Sequence, residues 1–142
     1  MADATDRSSY RIWAQDKLRY NDTDRQGHIN NAVYATFFET GRVSFVEAAR
    51  EQVAGVGGEF VVARVVIDFR AELHYPGIVD IGTSVRRIGR SSIVLAHAVF
   101  KDRVCAATGE SVLVQLDTAT RRSAPLAATM VAWLLPLVSA EQ

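Results

Sequence analysis

The chain has 142 residues, 49% of them hydrophobic, with 16 basic and 16 acidic side chains and a formal net charge of +0. That length favours one domain with a real core, and the even charge balance gives no field to gather DNA or RNA. Cys105 is the only cysteine, so no disulfide framework can form within the chain and a reducing compartment fits.

Residues 1–8 read as a flexible polar tail lacking the apolar core of a signal peptide, and 9–142 as a single domain. No stretch approaches the roughly 20 apolar residues of a membrane helix, so a cytoplasmic protein without a membrane partner is expected. The run "SYRIWAQDKLRY" (9–20) alternates. Tyr10, Ile12, Ala14, Leu18 and Tyr20 share one face, with Asp16 the exception, and Arg11, Gln15, Lys17 and Arg19 take the other. This is a half-buried strand.

From Asn31 to about Gln52 the period changes. At about 100° per residue, Tyr34, Phe37, Phe38, Gly41, Phe45, Ala48 and Ala49 fall on one face of an amphipathic helix of about six turns. Glu39 with Arg42, and Glu47 with Arg50, stand at i,i+3 as ion pairs. Val43 and Val46 lie off the apolar face and need other cover. Gly41 lies within that face at a cost of about 1 kcal/mol in helix propensity; close approach of a neighbouring backbone and simple tolerance both account for it.

"GVGG" (55–58) is a loop, after which the period is two. In 60–71, Val61, Ala63, Val65, Ile67 and Phe69 are expected inward, with Arg64, Asp68 and Arg70 outward. "HYPG" (74–77) breaks the run, 78–88 is a strand, "GR" (89–90) is a hairpin turn, 91–100 a strand, "KDR" (101–103) a second tight turn, and 104–116 a long last strand. An apolar helix follows Pro125 and ends near Pro136. Three hairpin-type connections in succession argue for α+β: an antiparallel sheet of five or more strands with a long helix on its face.

The chemistry concentrates in "NDTDRQGHINN" (21–31), immediately before the helix. Asp22, Asp24, Gln26 and Gly27 imitate the start of a calcium loop, but the position needing a bidentate Glu is Val33. His28, His74 and His97 are far apart in sequence and form no zinc-binding spacing, so no metal is expected. Neither a G-x-S-x-G nor a phosphate-binding glycine motif occurs, and Cys105, mid-strand, reads as a buried inert thiol. Asn30 is a good N-cap for a helix beginning at Asn31. The first amides of such a helix lack intrahelical partners and carry the positive dipole end, which suits an anion or a carbonyl becoming one. Asp24 lies just upstream, on a Gly-containing loop that can fold back to the same point. From the residues alone, a loop of capping Asx side chains and a catalytic helix mouth both remain open.

"RYNDTDRQGHINNAVYATFFETGR" (19–42) resembles the signature of the 4-hydroxybenzoyl-CoA thioesterase-like family of hotdog-fold acyl-CoA thioesterases. The shared elements are an aromatic residue, D-x-D, Gly-His-hydrophobic-Asn-Asn, a tyrosine, then Phe-Glu-x-x-Arg. The strand before the motif, the helix after it, "PG" (76–77), "GRSS" (89–92) and the long last strand follow in family order. The resemblance implies an antiparallel sheet wrapped around a central helix, and hydrolysis of an acyl-CoA, or an acyl-carrier-protein thioester, to free acid and thiol with no cofactor. It makes Asp24 the catalytic carboxylate, as nucleophile or general base, and places the thioester oxygen at the backbone N–H of Asn31. His28, Asn30 and Tyr34 then orient the loop or touch substrate. His74 and Ser92 border the pantetheine channel, and Arg90, with Arg86, Arg87 and Lys101, is a candidate for the CoA phosphates. Asp22 holds the loop. Glu39 is the alternative acid. Arg25-Gln26 stand where members acting on hydroxybenzoyl groups carry Pro-Ala, which points to the aliphatic branch. The resemblance also implies a homodimer or homotetramer with each site shared between subunits. A hotdog hydratase or dehydratase and a non-catalytic acyl-binding protein are the rival expectations.

Overall fold

The computed structural model describes residues 3–53 and 58–139. The elements are β1 (Ile12–Lys17), α1 (Asn31–Gln52), β2 (Glu59–Phe69), β3 (Ile78–Ile88), β4 (Ser92–Lys101), β5 (Val104–Leu116) and α2 (Ala128–Leu134). Every element expected from periodicity is present, although α2 starts at Ala128 rather than at Pro125 and gives way to a 3-10 turn across Pro136. The loop expected at 55–58 lies outside the described residues except for Gly58. Among the described residues no helix is long and apolar enough to cross a membrane.

The strands form one antiparallel sheet in the order β1-β3-β4-β5-β2. The expectation of three successive hairpins needs correction: only β3–β4 and β4–β5 are hairpins. β2 pairs with β5 along its length, so residues 70–77 cross from one side of the sheet to the other before β3 begins. "HYPG" interrupts the strand without supplying the two-residue turn that would fold the next strand back beside it. This crossover later forms one wall of the candidate site.

Helix α1 lies against the sheet with Tyr34, Phe37, Phe38, Gly41, Phe45 and Ala49 buried, the face that the spacing predicts; Ala48, at its border, is half-buried. Phe37 and Phe38 share a core with Val79, Ile81 and Val99. Phe45 and Ala49 share a second with Leu95, Leu113, Met130 and Leu134, which α2 closes. Each fully buried aromatic or aliphatic side chain contributes about 1.5–3 kcal/mol. Asp16, the polar exception on β1, accepts a hydrogen bond from Thr40 Oγ1 of α1 at 2.9 Å.

A polar layer separates the two cores. His97 of β4 is fully buried, with Nδ1 3.0 Å from Thr83 Oγ1 and Nε2 2.9 Å from Ser111 Oγ. Arg42 donates to the same Ser111 hydroxyl at 3.0 Å. Burial, assisted by the Arg42 charge, lowers the His97 pKa to about 3, so the ring is neutral and bridges two hydroxyls. Gly41 faces this layer. A Cβ there would lie 2.9 Å from Ile81 Cγ2 and from Thr83 Oγ1, so the glycine answers a close approach of helix to sheet. Arg42 turns inward to Ser111, and among the described residues it forms no ion pair with Glu39. The expected surface pair is therefore replaced by a part-buried hydrogen bond to the hydroxyl that His97 also contacts. No Glu47–Arg50 pair forms among the described residues either.

Three further expectations change at the margins. Residues 3–9 are not loose: Asp6 caps a 3-10 turn at Arg7–Ser9, and Tyr10 Oη donates to the Ala4 carbonyl at 2.6 Å. Tyr20 is 77% exposed, because the strand ends at Lys17 and the chain turns into a 3-10 segment at Tyr20–Asp22. On β2, Val62, Val65 and Phe69 are exposed where strict alternation puts Val65 and Phe69 inside. Both still lie on the face toward α1, Val65 beside Ser111, the partner of Arg42, and Phe69 edge-on to Tyr34 at 5.1 Å; the register shift between Val62 and Arg64 precedes them and brings Val62 onto that same face. β2 is also an edge strand, with one side unpaired within this chain.

Candidate active site

The loop between β1 and α1 is built by its aspartates. Asp22 is buried; its Oδ2 accepts from the Arg19 amide at 2.8 Å and its carbonyl from the Asn30 amide at 2.9 Å, so one residue ties both ends of the loop. Thr23 and Ile29 pair across it. Between them Asp24 N–H donates to the His28 carbonyl at 2.8 Å and Gly27 N–H to the Asp24 carbonyl at 3.0 Å. D-R-Q-G has the Asp first and Gly fourth that a tight turn favours, and Gly27 takes the left-handed φ of 84°. Asp24 Oδ1 accepts from the amides of Gln26 at 2.9 Å and His28 at 3.2 Å, an Asx turn that fixes the carboxylate. Hydrogen bonds among the described residues leave Asp24 Oδ2 without a protein donor.

The helix mouth follows directly. Asn30 caps α1 as its sequence predicts: Oδ1 accepts from Ala32 N–H at 3.1 Å, and its carbonyl accepts from Val33 N–H at 2.9 Å. Its own N–H goes to Asp22. The amides at 30, 32 and 33 are thus satisfied, and among the described residues that of Asn31 has no hydrogen-bond partner. A free N–H at the positive end of a 22-residue helix is aimed where a carbonyl oxygen can gain charge.

Asp24, His28, Asn31 and Tyr34 line one cleft of about 310 Å³, closed on its other side by Phe69, Arg70 and Glu72. Tyr34 Oη donates to the Ala71 carbonyl at 3.3 Å, and burial raises its pKa above the ordinary phenol value. The Ile29 amide donates to the Leu73 carbonyl at 2.8 Å, which ties the Asp24 loop to the crossover. Phe69, Arg70 and Glu72 escaped sequence reasoning. They are about forty residues from the motif, and only the crossover topology brings them to it.

The remaining candidates separate. His74 stands beside His28, with ring centroids 5.1 Å apart, at the rim. Arg90 lies in the β3–β4 turn and Ser92 opens β4, at the opposite end of the 11-residue β3, roughly 30 Å away at strand spacing. Within one chain they do not reach the cleft. Lys101 Nζ donates at 2.8 Å to the carbonyls of both His74 and Pro76, so its charge props the crossover rather than lying free for a phosphate. Arg86 pairs with Glu110 at 2.9 Å. Glu39, the alternative acid, lines a different groove of about 390 Å³ with Val43, Val46 and Val62. It lies eight residues along α1 from Asn31, about 12 Å. Sequence distance does not keep His28 and His74 apart, although His97 remains in the core: both approach Glu72, at 3.3 and 3.5 Å, and these three could together hold a cation.

A model of the thioesterase-like superfamily matches residues 18–134. The chain belongs to that superfamily. Among solved structures it is similar to a predicted thioesterase from Bacillus stearothermophilus, with 25% identity, a TM-score of 0.82 and coverage of 92% of this chain and 98% of that one. The PA5185 protein of Pseudomonas aeruginosa is 28% identical, with a TM-score of 0.81 and coverage of 96% and 97%. A thioesterase of Thermus thermophilus, solved in complex with coenzyme A and zinc, is also 28% identical, with a TM-score of 0.77 and coverage of 91% and 95%. The superfamily match spans the motif, the crossover and strands β2 to β5, and these neighbours share the antiparallel sheet wrapped around a helix, the hotdog fold.

Proposed function

We propose that this superfamily member hydrolyses acyl-CoA thioesters to a free carboxylic acid and CoA. The observation that carries the reading is the pairing, on one cleft, of a fixed Asp24 carboxylate with the unpartnered Asn31 amide. A thioester whose carbonyl oxygen accepts from Asn31 N–H is polarised by that amide and the helix dipole. Asp24 removes a proton from water as the oxygen attacks the carbonyl carbon, or attacks that carbon itself. The charge that develops on the oxygen falls at the helix mouth. Collapse breaks the C–S bond and releases the CoA thiolate, which takes up the proton held by Asp24; on the nucleophilic route collapse leaves an acyl–Asp24 anhydride, and water then hydrolyses it to the free acid, restoring the carboxylate and giving its proton to the thiolate. The neighbour solved with coenzyme A supports CoA as the carrier, and the acyl group is of the aliphatic kind.

The same reading requires a second copy. β2 is an unpaired edge bearing exposed Val62, Val65 and Phe69, the kind of edge that proteins hide. Antiparallel pairing of β2 with its copy sets the Glu59 end of one strand beside the Phe69 end of the other. The partner's far sheet end, with its β3–β4 turn, is then turned toward the cleft, and the CoA tail is held between subunits.

Thiol release measured over a panel of acyl-CoAs, with Asp24→Asn as the comparison, tests the mechanism. The substitution keeps the shape and removes the charge. It is expected to lower kcat by about two orders of magnitude or more with KM little changed. Near-normal turnover by a folded Asp24→Asn protein refutes the assignment and makes Glu39 the next residue to examine.

A further inference from the structure

We propose that His28, Glu72 and His74 form a binding site for a divalent transition cation of the zinc class, held by Nε2 of both imidazoles and Oε2 of the carboxylate. The site does not rest on the thioesterase reading, because its ligand atoms alone define it.

The backbone places these side chains together. Ile29 and Leu73 are both buried and joined by the Ile29 N–H to Leu73 carbonyl bond of 2.8 Å. In extended segments side chains alternate. With Leu73 inward, Glu72 and His74 point outward on the same side, and with Ile29 inward, so does His28. Lys101 fixes the crossover beyond them through the His74 and Pro76 carbonyls. The three ligands therefore stand on two loop segments that are tied to each other and to Lys101 by hydrogen bonds.

The distances match coordination better than hydrogen bonding. Nε2 of His28 and of His74 lie 3.3 and 3.5 Å from the same Glu72 oxygen. A charge-assisted N–H···O bond is shorter, about 2.7–2.9 Å. Bonds of about 2.0–2.1 Å to a tetrahedral zinc put neighbouring ligand atoms about 3.3 Å apart. Two edges already have that length, and all three ligand atoms lie within 4.8 Å of one another. The third edge, between the two imidazole nitrogens, is within 4.8 Å, and the exposed His74 ring is free to rotate toward it.

Donor chemistry selects the ion. Two neutral imidazoles and one carboxylate suit zinc, cobalt or nickel, whereas calcium and magnesium prefer all-oxygen shells. Three protein ligands leave a fourth position open, facing solvent at the cleft rim. The bound ion would staple the Asp24 loop to the crossover, since His28 belongs to the first and Glu72 and His74 to the second.

Metal-free full-length protein titrated with cobalt(II) chloride and with zinc chloride provides the test. Expected are one cobalt per chain with the visible absorption of a four- or five-coordinate ion, its displacement by zinc, and a zinc-dependent rise in Tm. Each of His74→Ala and Glu72→Ala is expected to weaken zinc binding by at least tenfold, as loss of a direct ligand should exceed the effect of an outer-shell partner. Both residues are largely exposed, so these variants should keep the metal-free Tm of the parent. Cobalt remaining octahedral and weakly absorbing, or zinc affinity unchanged in His74→Ala, overturns the proposal. Zinc binding lost only in a control elsewhere, His97→Gln, does so as well.

Discussion

Acid should destabilise this protein through His97. Its ring is fully buried, and burial, then the Arg42 charge, lowers its pKa from 6.5 to about 3. The unfolded chain exposes the imidazole to water, where it titrates near 6.5. Between those two values the unfolded state binds a proton that the folded state refuses, so the free energy of unfolding rises with pH across that window. The contribution is fully present above about pH 6.5 and is lost progressively as pH falls toward the folded pKa. Its limiting slope for one group is about 1.4 kcal/mol per pH unit. Urea unfolding from about pH 7.5 to about pH 4.5, at one protein concentration, measures it in the parent and in His97→Gln. Contributions from groups remote from the substitution cancel in the difference. The variant should be less stable at neutral pH, because Thr83 and Ser111 lose a shared partner. Its deficit should shrink by about 1 kcal/mol per unit below about pH 6. Parallel stability curves for the two proteins would refute the buried neutral imidazole.

Gly41→Ala sets a helix gain of about 1 kcal/mol against overpacking of about 1–3 kcal/mol, with a Cβ only 2.9 Å from Ile81 Cγ2 and Thr83 Oγ1 and 3.3 Å from His97 Nδ1. A net loss of up to about 2 kcal/mol is expected by denaturant unfolding, and a stabilised variant would contradict the tight helix–sheet approach. Sedimentation at micromolar concentration should find at least a dimer, and Val65→Arg on the edge strand β2, where Val65 is partly exposed, should shift it toward monomer; a monomeric parent protein would remove the shared-site reading.

Local periodicity was enough to locate the elements, and the reason is the burial it encodes. The face Tyr34, Phe37, Phe38, Gly41, Phe45 and Ala49 was legible because one side of α1 meets the sheet and the other does not. Where cover is incomplete, the rule indicates the face but not the burial. β2 is an edge strand within this chain, so Val65 and Phe69 face α1 as the alternation predicts and yet stay exposed. The Glu39–Arg42 pair failed for a different reason. Spacing says which side chains can meet on a helix, but not that Ser111 of β5 offers Arg42 a better partner from within.

The candidate site divides along the same line. Asp22, Asp24, Asn30 and Asn31 act within eleven residues of one another, through Asx turns and a cap whose chemistry belongs to residue type, so the sequence suffices to propose them. The opposite wall depends on topology. Had β2 and β3 formed a hairpin, "RAELH" (70–74) would have been a short surface turn with nothing to face. Because β2 pairs with β5 instead, that segment must cross the sheet, and the Ile29–Leu73 bond carries it past the helix mouth. The crossover thus gives the Asp24 loop a rigid neighbour, sets Phe69 and Arg70 across the cleft from Asn31, and turns two histidines remote in sequence toward one carboxylate. A single pairing choice in the sheet makes an exposed Asx loop into a walled cleft, and no periodicity within either segment records that choice.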